Sequence, residues 1–448
     1  MKIVSDEVVR NAAAASGDFA LQRVPLQNRR PMREVLWIEL GIATGVSEFV
    51  VAATLGYSMS LPRALVSIAI GTIILILIGG LIGIAGAAEG LPAGLLARWS
   101  GFGKIGSAFI SLVVSFGNLA WFGIQNSICA QAVQRATGGR LSFPVVSILT
   151  GSLLVLIAAR GFKSLARTAS LVVPLFVLLA AYGTLHVLVG SRFTSLVIRP
   201  SADSPMSIAA GADLVVGSFI VGAILAPDLT RFCRNRRDAF WVMAVTLITA
   251  KVILGVAGIL MSHAAQTRDV VAIIFQAAGW LGVTAIFLST LKLNDVNLYS
   301  TSLHLVNAIQ IVTGKELSRV KLTIAAGSLG VLFSVIGILD HITQFLMLLG
   351  IIMAPVGGIV ITDYFILRRR RAALSDVHGK KRVQSAAPLW SFGASIAWLL
   401  GIGAGYVFRS GVTTLTSFTV SAVSYYLLNK TGVRITAHRS RPQPLGIK

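Results

Sequence analysis

Long apolar runs, separated by short polar clusters, recur along nearly the whole chain. Runs near the ~20 residues needed to cross a bilayer fall at roughly 35–57, 64–87, 106–132, 143–159, 168–190, 207–227, 239–262, 270–308, 321–339, 342–367, 389–408 and 411–429. The pattern predicts an all-α polytopic membrane protein of twelve helices. The eighth run is long enough to hold a re-entrant or polar-lined part. Only the N-terminal stretch and the Arg/Lys-rich link 368–388 are long outside these runs, so function is expected among the helices.

Two runs resemble each other. "FVVAATLG" (49–56) in the first matches "FIVGAILA" (219–226) in the sixth position by position. Five runs separate them, so the two stretches cross in opposite directions, which is the mark of an inverted repeat. Both follow small polar residues, "GIATGVSE" (41–48) and "GADLVVGS" (211–218). Gly and Ser either loosen a helix where a cavity uses the freed backbone or let helices pack closely. Two such places in corresponding positions predict two helix breaks flanking a midplane site.

Composition agrees with the membrane reading: 55% of residues are hydrophobic and 12% charged, a balance foreign to water-soluble domains of this size. The net charge of +22 changes the picture through its distribution. With the N-terminus in the cytoplasm, all but nine of the 39 Lys and Arg lie on the inner side. The nine are Arg63, Arg135, Arg140, Arg192, Arg199, Arg268 and Arg409 outside, and Lys251 and Lys292 within runs. This asymmetry predicts an inner (plasma) membrane protein with both termini cytoplasmic. It speaks against nucleic acid as a partner, since no soluble domain is left to present a basic patch. Residues 1–30 lack an apolar signal core and read as a disordered tail. Cys129 and Cys233 are isolated, with no metal-ligand spacing, and read as small core residues.

Four places combine polar groups with apolar surroundings. Glu48 sits near the middle of the first run, where a carboxylate costs about 2.5–3.5 kcal/mol on insertion scales and needs a cation or a proton. Trp121 and Gln125 are four apart and share a helix face. They offer an aromatic plane beside an amide, suited to a planar heterocycle, although ordinary packing explains the spacing equally well. Phe219 stands beside the second expected break, and Asp228 with Arg231 reads as a gate ion pair near the inner surface. In "STLKLNDVNLYS" (289–300), Lys292, Asp295 and Tyr299 share one arc of the helix, and Asn294 and Asn297 lie opposite. No phosphate loop, zinc-protease motif or nucleophile elbow is present, so neither an enzyme nor a cofactor or metal is expected.

"WFGIQ" (121–125), "GSFIVGAILAPDLTRFCRN" (217–235), "NDVNLYSTSLHLVNAI" (294–309) and "APVGGIVITDYFILRRR" (354–370) resemble the purine/cytosine permease family of nucleobase-cation symporters. The similarity runs from about residue 30 to about 430. It implies a leucine-transporter-like core of ten helices in two inverted repeats (about 31–190 and 207–367), a cytoplasmic basic link (368–388), two added helices (389–429) and a cytoplasmic tail (430–448). It implies transport of a nucleobase or related heterocycle by alternating access, coupled to sodium or protons. Residue by residue, Trp121 matches the stacking tryptophan, Gln125 a polar contact of some members, Phe219 the helix-six aromatic, and Asn294 and Asn297 the helix-eight amides.

Two departures matter. Cytosine-type members have Ser where Val221 stands and lack a glutamine at the place of Gln125, which leaves another pyrimidine, a purine, or a hydantoin- or allantoin-like ring open. Sodium-coupled members place a hydroxyl pair just before the helix-eight asparagine, where this chain has Lys292 and Leu293. An ammonium there would supply the missing positive charge. Lys292, held by Glu48 or Asp295, is therefore expected to replace sodium, with proton coupling or facilitation as the outcome. The rivals are a sodium-coupled symporter of hydantoin, allantoin or a thiamine-precursor pyrimidine and, more remotely, a membrane enzyme or receptor.

Overall fold

The computed structural model describes residues 23–159, 206–315, 317–369 and 387–430, with the isolated positions 19, 178, 181, 182, 185 and 374. Most of the expected fifth span (168–190), most of the basic link and the C-terminal tail fall outside the described residues. The first apolar run divides into α1 (Met32–Ala43) and α2 (Val46–Ser58), bent by 57°. Then come α3 (Leu61–Glu89), α4 (Gly103–Ala136), α5 (Phe143–Ala159) and α6 (Ile208–Leu225), the last followed by the short turn Pro227–Thr230. The next pair, α7 (Arg236–Leu247) and α8 (Leu254–Ala265), is joined by a π-helical turn at Ile248–Ile253. α9 (Val270–Thr313) carries one non-helical residue, Gly279. α10 (Arg319–Val335), α11 (Ile342–Ile361), α12 (Phe392–Val407) and α13 (Thr413–Lys430) complete the described chain.

Five helical stretches are long and apolar enough to cross a membrane, and α1 with α2 forms a sixth if the bent pair counts as one span. The helices sort into two groups. In one, α3 packs on α6 and α7, and α2 on α8; in the other, α4 runs along α9, and α10 packs on α4 and α5. The second group is tied by a buried polar knot in which Asn126 donates to Ser147 Oγ and Ser334 Oγ, both at 3.1 Å, and accepts from Thr150 at 2.9 Å. Bonds of this kind hold helices together where apolar contact alone distinguishes them little from lipid.

The second expected break is not there. Residues 208–225 are helical throughout, and the small residues serve close packing. A methyl group at Gly217 would overlap the Leu346 carbonyl of α11. One turn earlier, the buried Asp213 carboxylate accepts four hydrogen bonds of 2.7–2.9 Å from the N–H and hydroxyl groups of Thr413 and Thr414. It thereby caps the start of α13. Part of the expected N-terminal tail is also ordered. Val24 N–H donates to Gly90 O at 2.9 Å, Arg30 N–H to Phe232 O at 2.7 Å, and Arg23 pairs with Glu89 at 3.0 Å.

Gly217→Ala is expected to lower stability by about 1–3 kcal/mol through overpacking, whereas Gly403→Ala, with open space around it, has little effect. Thermal unfolding of the two purified variants checks this.

Candidate functional site

The break between α1 and α2 organises the site. Thr44 and Gly45 are extended, which frees backbone groups that at membrane depth need partners within the protein. Gly45 lets α9 approach closely, since a methyl group there would displace the Leu293 side chain of α9. Two groups of the α9 segment fill the gap. Ser289 Oγ accepts from Val46 N–H at 3.3 Å, and Lys292 Nζ donates to the Thr44 carbonyl at 3.1 Å. Lys292 is buried and lies at the C-terminal, electronegative end of α1.

Glu48 occupies the first turn of α2, at the electropositive end of that helix. Its partner is neither Lys292 nor Asp295. Glu48 Oε2 accepts from Lys251 Nζ, which also donates to Ser218 Oγ at 2.7 Å and lies 5.2 Å from the centre of the Phe219 ring. Lys251 belongs to the π-helical turn between α7 and α8, the kind of local irregularity often found at functional sites. Sequence reasoning noted Lys251 only as one of two lysines inside apolar runs; that rarity was the available signal. The expected pairing of Lys292 with Asp295 is not formed either. Asp295 is buried with Oδ2 unpaired among the described residues, and its charged neighbour is Arg319. Arg319 itself stacks on the Tyr299 ring at 3.9 Å and donates to Ser302 Oγ at 3.1 Å. On a helix, sharing an arc with a lysine does not decide which neighbour a side chain meets.

Between the two helix groups lies a cavity of about 510 Å³. At its inner end it is bordered by Glu48, Trp121, Gln125, Ser218, Phe219 and Asn297. From there it runs to Glu39, Asp228, Arg231 and Phe232, beside the basic loops. Trp121 and Phe345 are packed nearly perpendicular, with ring centroids 6.2 Å apart. Gln125 is 6% exposed, and its Oε1 has no hydrogen-bond partner among the described residues. Asn294 does not border the cavity. Its amide donates to Phe122 O at 3.3 Å and its Oδ1 accepts from Asn297 at 3.4 Å, so it stands behind Asn297. Further ties, Asn118 to Ser300 at 3.1 Å and Thr290 to Gln125 O at 3.4 Å, lock α4 to α9.

Asp228 and Arg231 both border the mouth, but their side chains do not form the expected ion pair. Asp228 Oδ1 accepts from Ala93 N–H at 2.9 Å, and Arg231 donates to the main-chain carbonyls of Asp228 at 3.1 Å and Phe19 at 2.9 Å. Turning out of α6 at Pro227 leaves the two side chains facing different elements. Arg98, which the sequence did not single out, also borders the cavity, donating to Asn307 and, at 3.1 Å, to Ser107.

The chain is similar to known proteins in sequence and in fold. A family model described as permease for cytosine/purines, uracil, thiamine, allantoin matches residues 30–429. The cytosine permease of Escherichia coli K12 is 27% identical over 415 residues, covering 92% of this chain and 94% of that protein. Two solved structures share the fold. The inward-facing conformation of Mhp1 superposes with a TM-score of 0.77 at 19% identity, over 91% of this chain and 93% of that one. Mhp1, a nucleobase-cation-symport-1 family transporter, in a closed conformation with bromovinylhydantoin bound, gives 0.73 at 18%, over 92% and 96%. The architecture is therefore the helical inverted-repeat fold of leucine-transporter type.

Lys251→Met strands the Glu48 carboxylate and is expected to cost about 3–5 kcal/mol, while Glu48→Gln/Lys251→Met, which removes both charges, costs much less. Melting temperatures of the two variants in the same detergent test this ordering.

Proposed function

Because the chain belongs to the family of permeases for cytosine/purines, uracil, thiamine and allantoin, we propose that it carries a nucleobase or related planar heterocycle across the membrane by alternating access, without sodium. The observation that supports the substrate class is the gathering of Trp121, Phe219, Gln125 and Asn297 around one cavity. Aromatic faces suit a flat ring, and the amides suit its polar edge. In this reading Trp121 stacks on the substrate, Phe219 covers it, and Gln125 and Asn297 read its edge. Asn294 acts through Asn297.

The ion reading rests on Lys292. Its ammonium lies on the carbonyl of the helix break, an oxygen ligand of the type a hard cation favours, and it carries the positive charge there itself. Glu48 and Asp295 drop out as its holders, since each has another cationic neighbour. If Lys292 gives up and regains a proton during the cycle, transport is proton-coupled; if it does not, the protein is a facilitator.

We place the protein in the plasma membrane with both termini in the cytoplasm, as the basic loops favour. The ten core helices then form the two repeats 31–190 and 207–367, with α12 and α13 as additions. In that orientation the cavity opens inward. Asp228 and Arg231 stand at its mouth as gate residues that act separately.

Uptake of labelled substrate is expected to be unchanged when sodium is replaced by choline at fixed pH; loss of uptake would overturn the lysine reading. A thermal-shift screen against nucleobases, hydantoins, allantoin and amino acids should single out one or more planar heterocycles. Trp121→Ala should then weaken the hit by about 1 kcal/mol or more, roughly fivefold in Kd; wild-type affinity would reduce Trp121 to a packing residue.

A further inference from the structure

The Glu48–Lys251 pair is the one buried ion pair at the inner end of the cavity among the described residues, and the transport cycle proposed above makes no use of it. Its two members are placed differently. Lys251 does not border the cavity, and its ammonium is engaged by Glu48, Ser218 and the Phe219 ring. Glu48 does border it. One of its oxygens is taken by Lys251, and the other has no hydrogen-bond partner among the described residues. The lysine therefore balances the charge and fixes the carboxylate in one orientation, and the remaining oxygen is an acceptor presented to whatever enters between Trp121 and Phe219.

A buried acceptor left unpaired is costly until something donates to it, so a ligand group placed against Glu48 must bring an N–H. A carboxylate is strict in this, because it has no donor to offer a carbonyl. A ring oxygen placed against it would meet only lone pairs and lose its water.

We infer that Glu48, oriented by Lys251, is a specificity-determining residue that selects planar heterocycles bearing an exocyclic amine over counterparts with a carbonyl at the same ring position. Lys251 is a positioning residue that works through Glu48. The inference rests on the heterocycle-transporter reading and narrows its substrate class. It is independent of Lys292 and of the coupling ion.

The test is equilibrium binding to purified full-length protein of two amine/carbonyl pairs, cytosine with uracil and adenine with hypoxanthine. In at least one pair the amine member is expected to bind about ten- to a hundredfold more tightly, the range set by a charge-assisted bond on one side and an unpaired buried acceptor on the other. In Glu48→Gln/Lys251→Met, where the amide both donates and accepts, that ratio should fall below about threefold while the carbonyl member still binds. Glu48→Asp, which keeps the charge and withdraws the oxygen by one methylene, should lower the ratio as well and serves if the double variant does not fold. Ratios near one in both wild-type pairs, or a wild-type ratio kept in the variants, overturn this inference alone. If folded wild-type protein binds neither member of either pair and no other planar heterocycle, the transporter reading falls with it. A purely structural ion pair would change stability and leave the ratio where it was.

Discussion

A backbone carbonyl that leaves its helix inside a membrane must be given a donor, and the placing of Lys292 against Thr44 is how this protein does so. The rest of the site follows from that break. Opening the helix at Gly45 creates a negative end and a positive end a few residues apart. The chain puts an ammonium at the first and the Glu48 carboxylate at the second. Each charge thus has a helix terminus as well as a side-chain or backbone partner. The two do not neutralise each other. They belong to separate networks, one reaching α9 and the other the turn between α7 and α8.

Much of this was legible in the sequence. Helix positions came from hydropathy, and the fold and the aromatic pair Trp121 and Phe219 came from motif resemblance. The first break was readable because Gly45 sits among small polar residues with a carboxylate just behind it. The same signature at 211–218 misled. There Gly217 admits the α11 backbone and Asp213 reaches for α13, so the helix stays whole. Small residues look alike in sequence whether they free a backbone or let another approach it.

Charge pairing was the least readable feature. Glu48 and Lys251 are 203 positions apart, and helix periodicity says nothing about which helices will be neighbours. Lys292 and Asp295 are three apart and share an arc, yet one turns to the break and the other lies near Arg319. Asn294 was placed on the right face of α9 but one layer too deep, since Asn297 stands between it and the cavity. Such depth depends on where neighbouring helices lie. Most of the cavity-lining residues of α9 keep a helical period, from Leu293 through Asn297, Ser300 and His304 to Asn307, with Tyr299 and Val306 beside the stripe, and one sequence cannot tell this from a packing stripe.

The Asp213 clamp bears on how the molecule is made. Its carboxylate is enclosed in α6, and the four groups that satisfy it begin 200 residues later, in the last described helix. During synthesis α6 enters the bilayer long before those threonines leave the ribosome. Until they arrive, a charge destined for the interior has to be met by water, by lipid headgroups or by a proton. The last described helix is therefore what satisfies the buried charge of α6, so the interior around α6 is complete only once that helix has joined it.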